Sequence, residues 1–141
     1  MVLLGECLPV SKPPLNLSAP CPPARETCDK IRAYLISLLG GQLPPQVVLC
    51  IPAQCTEAWL FAALHPELLI LFQPIECREE VAKLLINKPE KLVRDKEGRA
   101  RKQPEKYRDT SPKVVKQWPQ ATASCAEALR FETECRAALP K

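Results

Sequence analysis

The sequence predicts an α/β fold, with a short parallel sheet, flanking helices and a helical C-terminal half. Three observations carry the prediction. Apolar residues recur at helical spacing over residues 24–39, the pair Gly40-Gly41 stops that stretch, and the run Val47-Val48-Leu49-Cys50-Ile51 follows between Pro45 and Pro52. A β-branched-rich run of that length reads as a strand buried on both faces. With Val2-Leu3-Leu4 as an earlier strand, the order strand, helix, strand makes a β-α-β unit, whose crossover is right-handed and whose strands are parallel.

Each element has its own reason. Residues 9–23 hold six prolines, which forbids regular structure and predicts an extended loop. The helix over 24–39 sets Cys28, Ile31, Leu35 and Leu38 on one side, and glycine accepts the left-handed conformation that ends it. Thr56 is placed to cap the next helix, and Glu57-Ala58-Trp59-Leu60-Phe61-Ala62-Ala63-Leu64 is apolar nearly all round, so this helix should be buried between layers. His65-Pro66 ends it. Residues 68–72 form an apolar run of either type, and residues 78–86 read as a short amphipathic helix. Asp95-Lys96-Glu97-Gly98 is a turn signal that predicts a hairpin or open loop. Ser111-Pro112 reads as a helix start, Pro119 ends or kinks that helix, and Ala121, Cys125, Ala128, Phe131, Cys135 and Ala138 form the stripe of a last helix. The 141 residues fit one domain: a β-α-β-α unit over 1–66 and a mainly helical part over 67–141 with a basic surface loop over 88–116.

Composition narrows the class. The eight cysteines sit where apolar residues would sit, and there is no C-x-x-C and no histidine near Cys50 and Cys55 to complete a zinc site. The start of the chain lacks the cationic and long apolar regions of an export signal, and no stretch approaches a membrane span. The chain is therefore expected to be cytoplasmic, with its cysteines as packing thiols. His65 is the only histidine, so a cysteine nucleophile has no obvious base. Phosphate-binding glycine loops are not found. Residues 88–116 hold 11 Lys or Arg against 5 Asp or Glu, a net of +6, while the remaining 112 residues sum to −2. This stretch predicts nucleic-acid contact by Arg94, Lys96, Arg99, Arg101, Lys102, Lys106 and Arg108, with Tyr107 as a stacking partner.

A resemblance adds to this. Val47-Val48-Leu49-Cys50-Ile51-Pro52 followed by Thr56-Glu57-Ala58-Trp59-Leu60, and further on Glu76-Cys77, Lys102, Tyr107, Trp118 and Cys125-Ala126-Glu127-Ala128-Leu129-Arg130-Phe131-Glu132, resemble bacterial families of unknown function with a TOPRIM-like fold, over roughly residues 44–139. The resemblance implies a Mg²⁺-dependent site of acidic residues at strand ends, acting on nucleic-acid phosphodiesters. The family pattern asks for a glutamate after one strand and an Asp-x-Asp after a later one, both upstream of the Glu-Ala-Trp-Leu helix. Upstream here, Val2-Leu3-Leu4-Gly5-Glu6-Cys7 offers only Glu6, so the expectation is a remnant truncated at its N-terminus and catalytically incomplete. Glu6 and Glu57 are the candidate catalytic and Mg²⁺-binding residues, a minimal set for an ion that takes one or two protein carboxylates. The alternative reading is a non-enzymatic accessory domain that meets a protein partner.

Overall fold

The computed structural model describes residue 21 and residues 23–139. Its elements are α1 (Ala24–Leu38), α2 (Glu57–Leu64), two 3₁₀ turns (Pro66–Leu71 and Ile75–Cys77), α3 (Val81–Leu84), β1 (Val93–Lys96), β2 (Arg99–Lys102), α4 (Pro104–Ser124) and α5 (Ala126–Ala138). Val2-Leu3-Leu4, Glu6 and the proline-rich stretch before Cys21 lie outside the described residues.

α2 is the centre of the molecule. Every one of its residues except Leu60 is buried, as its all-round apolar sequence requires. Trp59 stacks on Phe131 of α5 at 5.9 Å and meets Trp118 of α4 edge-on at 6.1 Å, while Phe61 meets Phe72 edge-on at 5.6 Å. Ile75, Val81, Leu85, Leu92 and Val93 complete this core. Offset and edge-to-face pairs of this kind add about 0.5–1.5 kcal/mol each beyond the area they bury. α1 closes a smaller cluster with Cys28, Ile31, Leu49, Ile51 and Ala53. It docks on α5 through ion pairs, Arg32 with Glu134 at 2.8 Å and Arg130 with Asp29 at 2.6 Å. Gly40 and Gly41, at φ +84° and +89°, end α1, and the Gly41 N–H reaches back to the Ile36 carbonyl at 2.9 Å.

The parallel sheet predicted from the sequence is not seen. Among the described residues the sheet is a two-stranded antiparallel hairpin, β1 on β2. Residues 48–51 are buried, and within 47–51 only Leu49 has bridge geometry. The apolar pattern is accounted for by packing on two sides: Leu49 and Ile51 face the α1 cluster and Cys50 faces the α2 core. Periodicity reports burial, and it does not by itself specify a ladder.

The helical half differs from expectation in its boundaries. α4 begins at Pro104, where proline's missing N–H costs nothing, and runs through Pro112 and Pro119 to Ser124. Pro112 cannot donate to the Arg108 carbonyl, and the Ser111 hydroxyl supplies that bond instead at 2.8 Å. The break into α5 falls at Cys125, which leaves helical geometry, and not at Pro119.

The cysteines divide. Cys21 and Cys77 form a disulfide, against the expectation of eight thiols, while among the described residues Cys28, Cys50, Cys125 and Cys135 are free. Cys28 donates to the Ile51 carbonyl at 3.3 Å. Burial pushes Cys50 up to about 11 and Cys125 to about 12, so both stay protonated and unreactive at neutral pH. The unreduced chain, denatured and alkylated, should therefore take up at least two labels fewer than the reduced chain, with peptide mapping placing Cys21 and Cys77 among the protected residues. Equal uptake in the two conditions contradicts the bridge.

Candidate functional site: a cationic hairpin anchored on a buried carboxylate

The hairpin is built for a two-faced distribution of charge. Glu97 and Gly98 form its turn at φ +56° and +75°, the left-handed pair that a two-residue connection of this twist requires. The register pairs Val93 with Lys102, Arg94 with Arg101, Asp95 with Ala100 and Lys96 with Arg99. Side chains alternate along a strand and directly opposed residues share a face. Val93, Asp95, Ala100 and Lys102 thus lie on one face, and Arg94, Lys96, Arg99 and Arg101 on the other.

The first face is the anchor. Val93 is buried in the core, and the Lys102 ammonium lies 2.8 Å from Glu57 Oε1. Glu57 is 1% exposed. The Tyr107 hydroxyl donates to the same oxygen at 2.9 Å. Burial pushes the Glu57 carboxyl up, but the Lys102 ammonium and the Tyr107 hydroxyl outweigh it and hold the group below the usual carboxylate range. Tyr107 moves the other way: burial, then the Glu57 charge, push its hydroxyl above its ordinary value. Thr56, Glu57, Lys102, Pro104 and Tyr107 surround an open pocket of about 340 Å³.

The second face is free of anions. Its four cations are exposed, and among the described residues no carboxylate comes within ion-pair distance of them. Like charges directly opposed across strands are destabilising, and this face has two such pairs, Arg94 with Arg101 and Lys96 with Arg99.

The residues expected to act thus fall into three groups. Arg94, Lys96, Arg99 and Arg101 are brought together on the free face. Glu57, Lys102 and Tyr107 are brought together below it, with Tyr107 half-buried and its hydroxyl engaged. Lys106 and Arg108 are exposed on the first turns of α4, Lys106 in a 4.0 Å contact with Asp109. Glu6 lies outside the described residues. Among the described residues no cluster of three or more His, Cys, Asp or Glu side chains is arranged to hold a metal ion. Glu57 is a single carboxylate whose charge the Lys102 ammonium balances at Oε1, with Oε2 left without a hydrogen bond among the described residues, a minimal ligand set for Mg²⁺.

Three further acids hold structural positions: Glu76 and Glu127, which the resemblance included, and Glu90, which the sequence did not single out. Glu76 accepts from the Trp59 indole at 2.8 Å and from the Glu127 N–H at 3.2 Å, so it caps α5 from a distant segment. Burial leads in raising its carboxyl above the usual range. Glu127 is buried against Arg25 and Arg130, each at 3.5 Å. Glu90 takes Lys113 of α4 and lies 3.2 Å from His65 Nε2. The buried indole of Trp59 was the one available signal, since such an N–H needs an acceptor.

Comparison with protein-family models, with curated proteins and with solved structures finds no match to this chain. Among the described residues no helix is long and apolar enough to cross a membrane.

The anchor has a definite signature. Tyr107→Phe should cost about 1–2 kcal/mol of stability. Lys102→Met, which leaves the buried carboxylate without its cation, should cost about 2 kcal/mol or more, a figure discounted because Lys102 is half exposed. Since the folded Glu57 carboxyl lies below the ordinary value of 4.5, its stabilisation is complete above that value and is lost as pH falls through the folded one. Glu57→Gln should flatten this acid loss in urea titrations between pH 3 and 7, about the range over which carboxylates titrate. An acid limb unchanged by the substitution contradicts the anchor.

Proposed function

We propose that this chain binds nucleic acid through the outward face of its hairpin, as a binding protein and not as a competent nuclease. The observation that carries the reading is the sorting of charge across the hairpin: four cations share a face without an anion, while the one cation on the other face is spent on Glu57. A merely solvated surface has no reason to bear two opposed like-charge pairs. A polyanion removes that repulsion and releases counterions when the cations meet its phosphates. The cytoplasmic location expected from the sequence belongs to the same reading; the free thiols of Cys28, Cys50, Cys125 and Cys135 support it and the Cys21–Cys77 bridge weighs against it.

The second reading, an accessory domain that meets a protein partner, draws on Ile70 and Leu71, exposed by 84% and 67% at the end of the Pro66–Leu71 turn. Adjacent exposed aliphatics of that kind mark contact surfaces more often than scattered ones.

Salt separates the two. Binding to a DNA oligonucleotide through four phosphate contacts should weaken with a log–log slope of about −3.6 for duplex. Arg94→Ala with Arg101→Ala should make the slope shallower by about 1.8, with the far-ultraviolet circular dichroism unchanged. Binding with the original slope in the double variant moves the contact off this face.

A further inference from the structure

The shape of the hairpin bears on which nucleic acid it meets. From Asp95 to Arg99 every residue is exposed, so the tip stands clear of the domain, while Val93, Ala100 and Lys102 hold the inner face. Two strands about 4.8 Å apart, each about 13 Å long, form a ribbon. The major groove of B-form DNA, about 12 Å wide, admits such a ribbon, and the minor groove, about 6 Å wide, does not. Double-stranded RNA has a deep, narrow major groove that side chains cannot read.

A second feature lies beside the ribbon. A cleft of about 610 Å³ runs along its base, with Lys88, Lys91 and Arg94 on its rim and Asp95 as its one acid. The loop that carries the two lysines is set by left-handed backbone at Asn87 and Lys91, φ +63° and +53°. It is pinned by Gln103, whose Nε2 donates to the Lys91 carbonyl at 2.6 Å. A non-glycine residue in this conformation costs free energy that the surroundings must offset. Lys88, Lys91 and Arg94 line the cleft together, the Lys88 ammonium 5.9 Å over the Phe61 ring, and Arg94 belongs also to the cationic face. The cations therefore form one continuous footprint, from a fixed loop to a projecting ribbon.

We propose that the ligand is duplex DNA in the B form, with the ribbon in the major groove and the adjoining backbone phosphates at Lys88 and Lys91. This rests on the nucleic-acid reading of the same face. Arginine presents the two-pronged donor that matches guanine's major-groove edge, and Arg94, Arg99 and Arg101 supply it from the outward face. Lys88 and Lys91 act as point charges that set register on the backbone.

The experiment measures binding of the full chain, by fluorescence anisotropy at one salt concentration, to a DNA duplex, an RNA duplex of the same sequence and the corresponding single-stranded DNA. The DNA duplex should bind at least about tenfold more tightly than either of the others. Lys88→Ala with Lys91→Ala should weaken duplex binding and make its salt slope shallower by about 1.8, with the denaturation midpoint recording whether the loop is kept. Equal affinity for the three ligands, or tighter binding of RNA or single strand, overturns the groove proposal and leaves the phosphate-binding reading in place. Absence of salt-dependent binding to any of the three overturns both.

Discussion

Burying Glu57 at the head of an apolar helix is the constraint from which the rest of the arrangement follows. α2 is covered on nearly every side, so its first residue is carried into the core with its charge. A buried carboxylate without a partner costs several kcal/mol, and the usual remedy is a cation and hydrogen bonds from neighbouring elements. Lys102 ends β2 and Tyr107 opens α4, so one interaction joins the central helix, the hairpin and the longest helix. Because strands alternate, fixing Lys102 inward turns Arg101 and Arg99 outward, and the register carries Arg94 and Lys96 with them. The cationic face is a geometric consequence of the anchor.

The same economy appears at the other buried acids. Glu76 joins the second 3₁₀ turn to Trp59 and to the start of α5, and Glu90 joins the loop before β1 to α4 and His65. Where the described residues hold one small hairpin as their sheet, such side-chain links do much of the work that sheet ladders do elsewhere. They also place charge with care. The acids are drawn inward, where they satisfy N–H groups and ammonium ions, and the hairpin's cations are left to solvent.

Some of this was legible in the sequence, for identifiable reasons. α1 and α2 announced themselves because burial period and stop signals agree there, and the Asp95-Lys96-Glu97-Gly98 turn marked the hairpin. Residues 47–51 misled because a doubly buried segment and a central strand share one pattern; among the described residues they join no sheet, and periodicity does not encode a partner. α4 was hidden by its own prolines: Pro112 looks like a first helical residue, and only the Ser111 hydroxyl shows how the interior position is tolerated. The basic residues were found as a run, but the division of the hairpin's five into one inward lysine and four outward cations depends on register. Glu57 was identified as notable for a different role, since only the fold reveals that its partners are Lys102 and Tyr107.

The central claim is that the anchored hairpin presents the binding face. Backbone amide resonances followed during titration with a DNA oligonucleotide at low salt test it most directly. The account predicts that the largest shifts fall on residues 94–101 and the adjoining loop around Lys91, while the amides of α1 and of the Pro66–Leu71 turn stay in place. Shifts centred on Ile70 and Leu71 with the hairpin unmoved, or none at a saturating concentration, would contradict it.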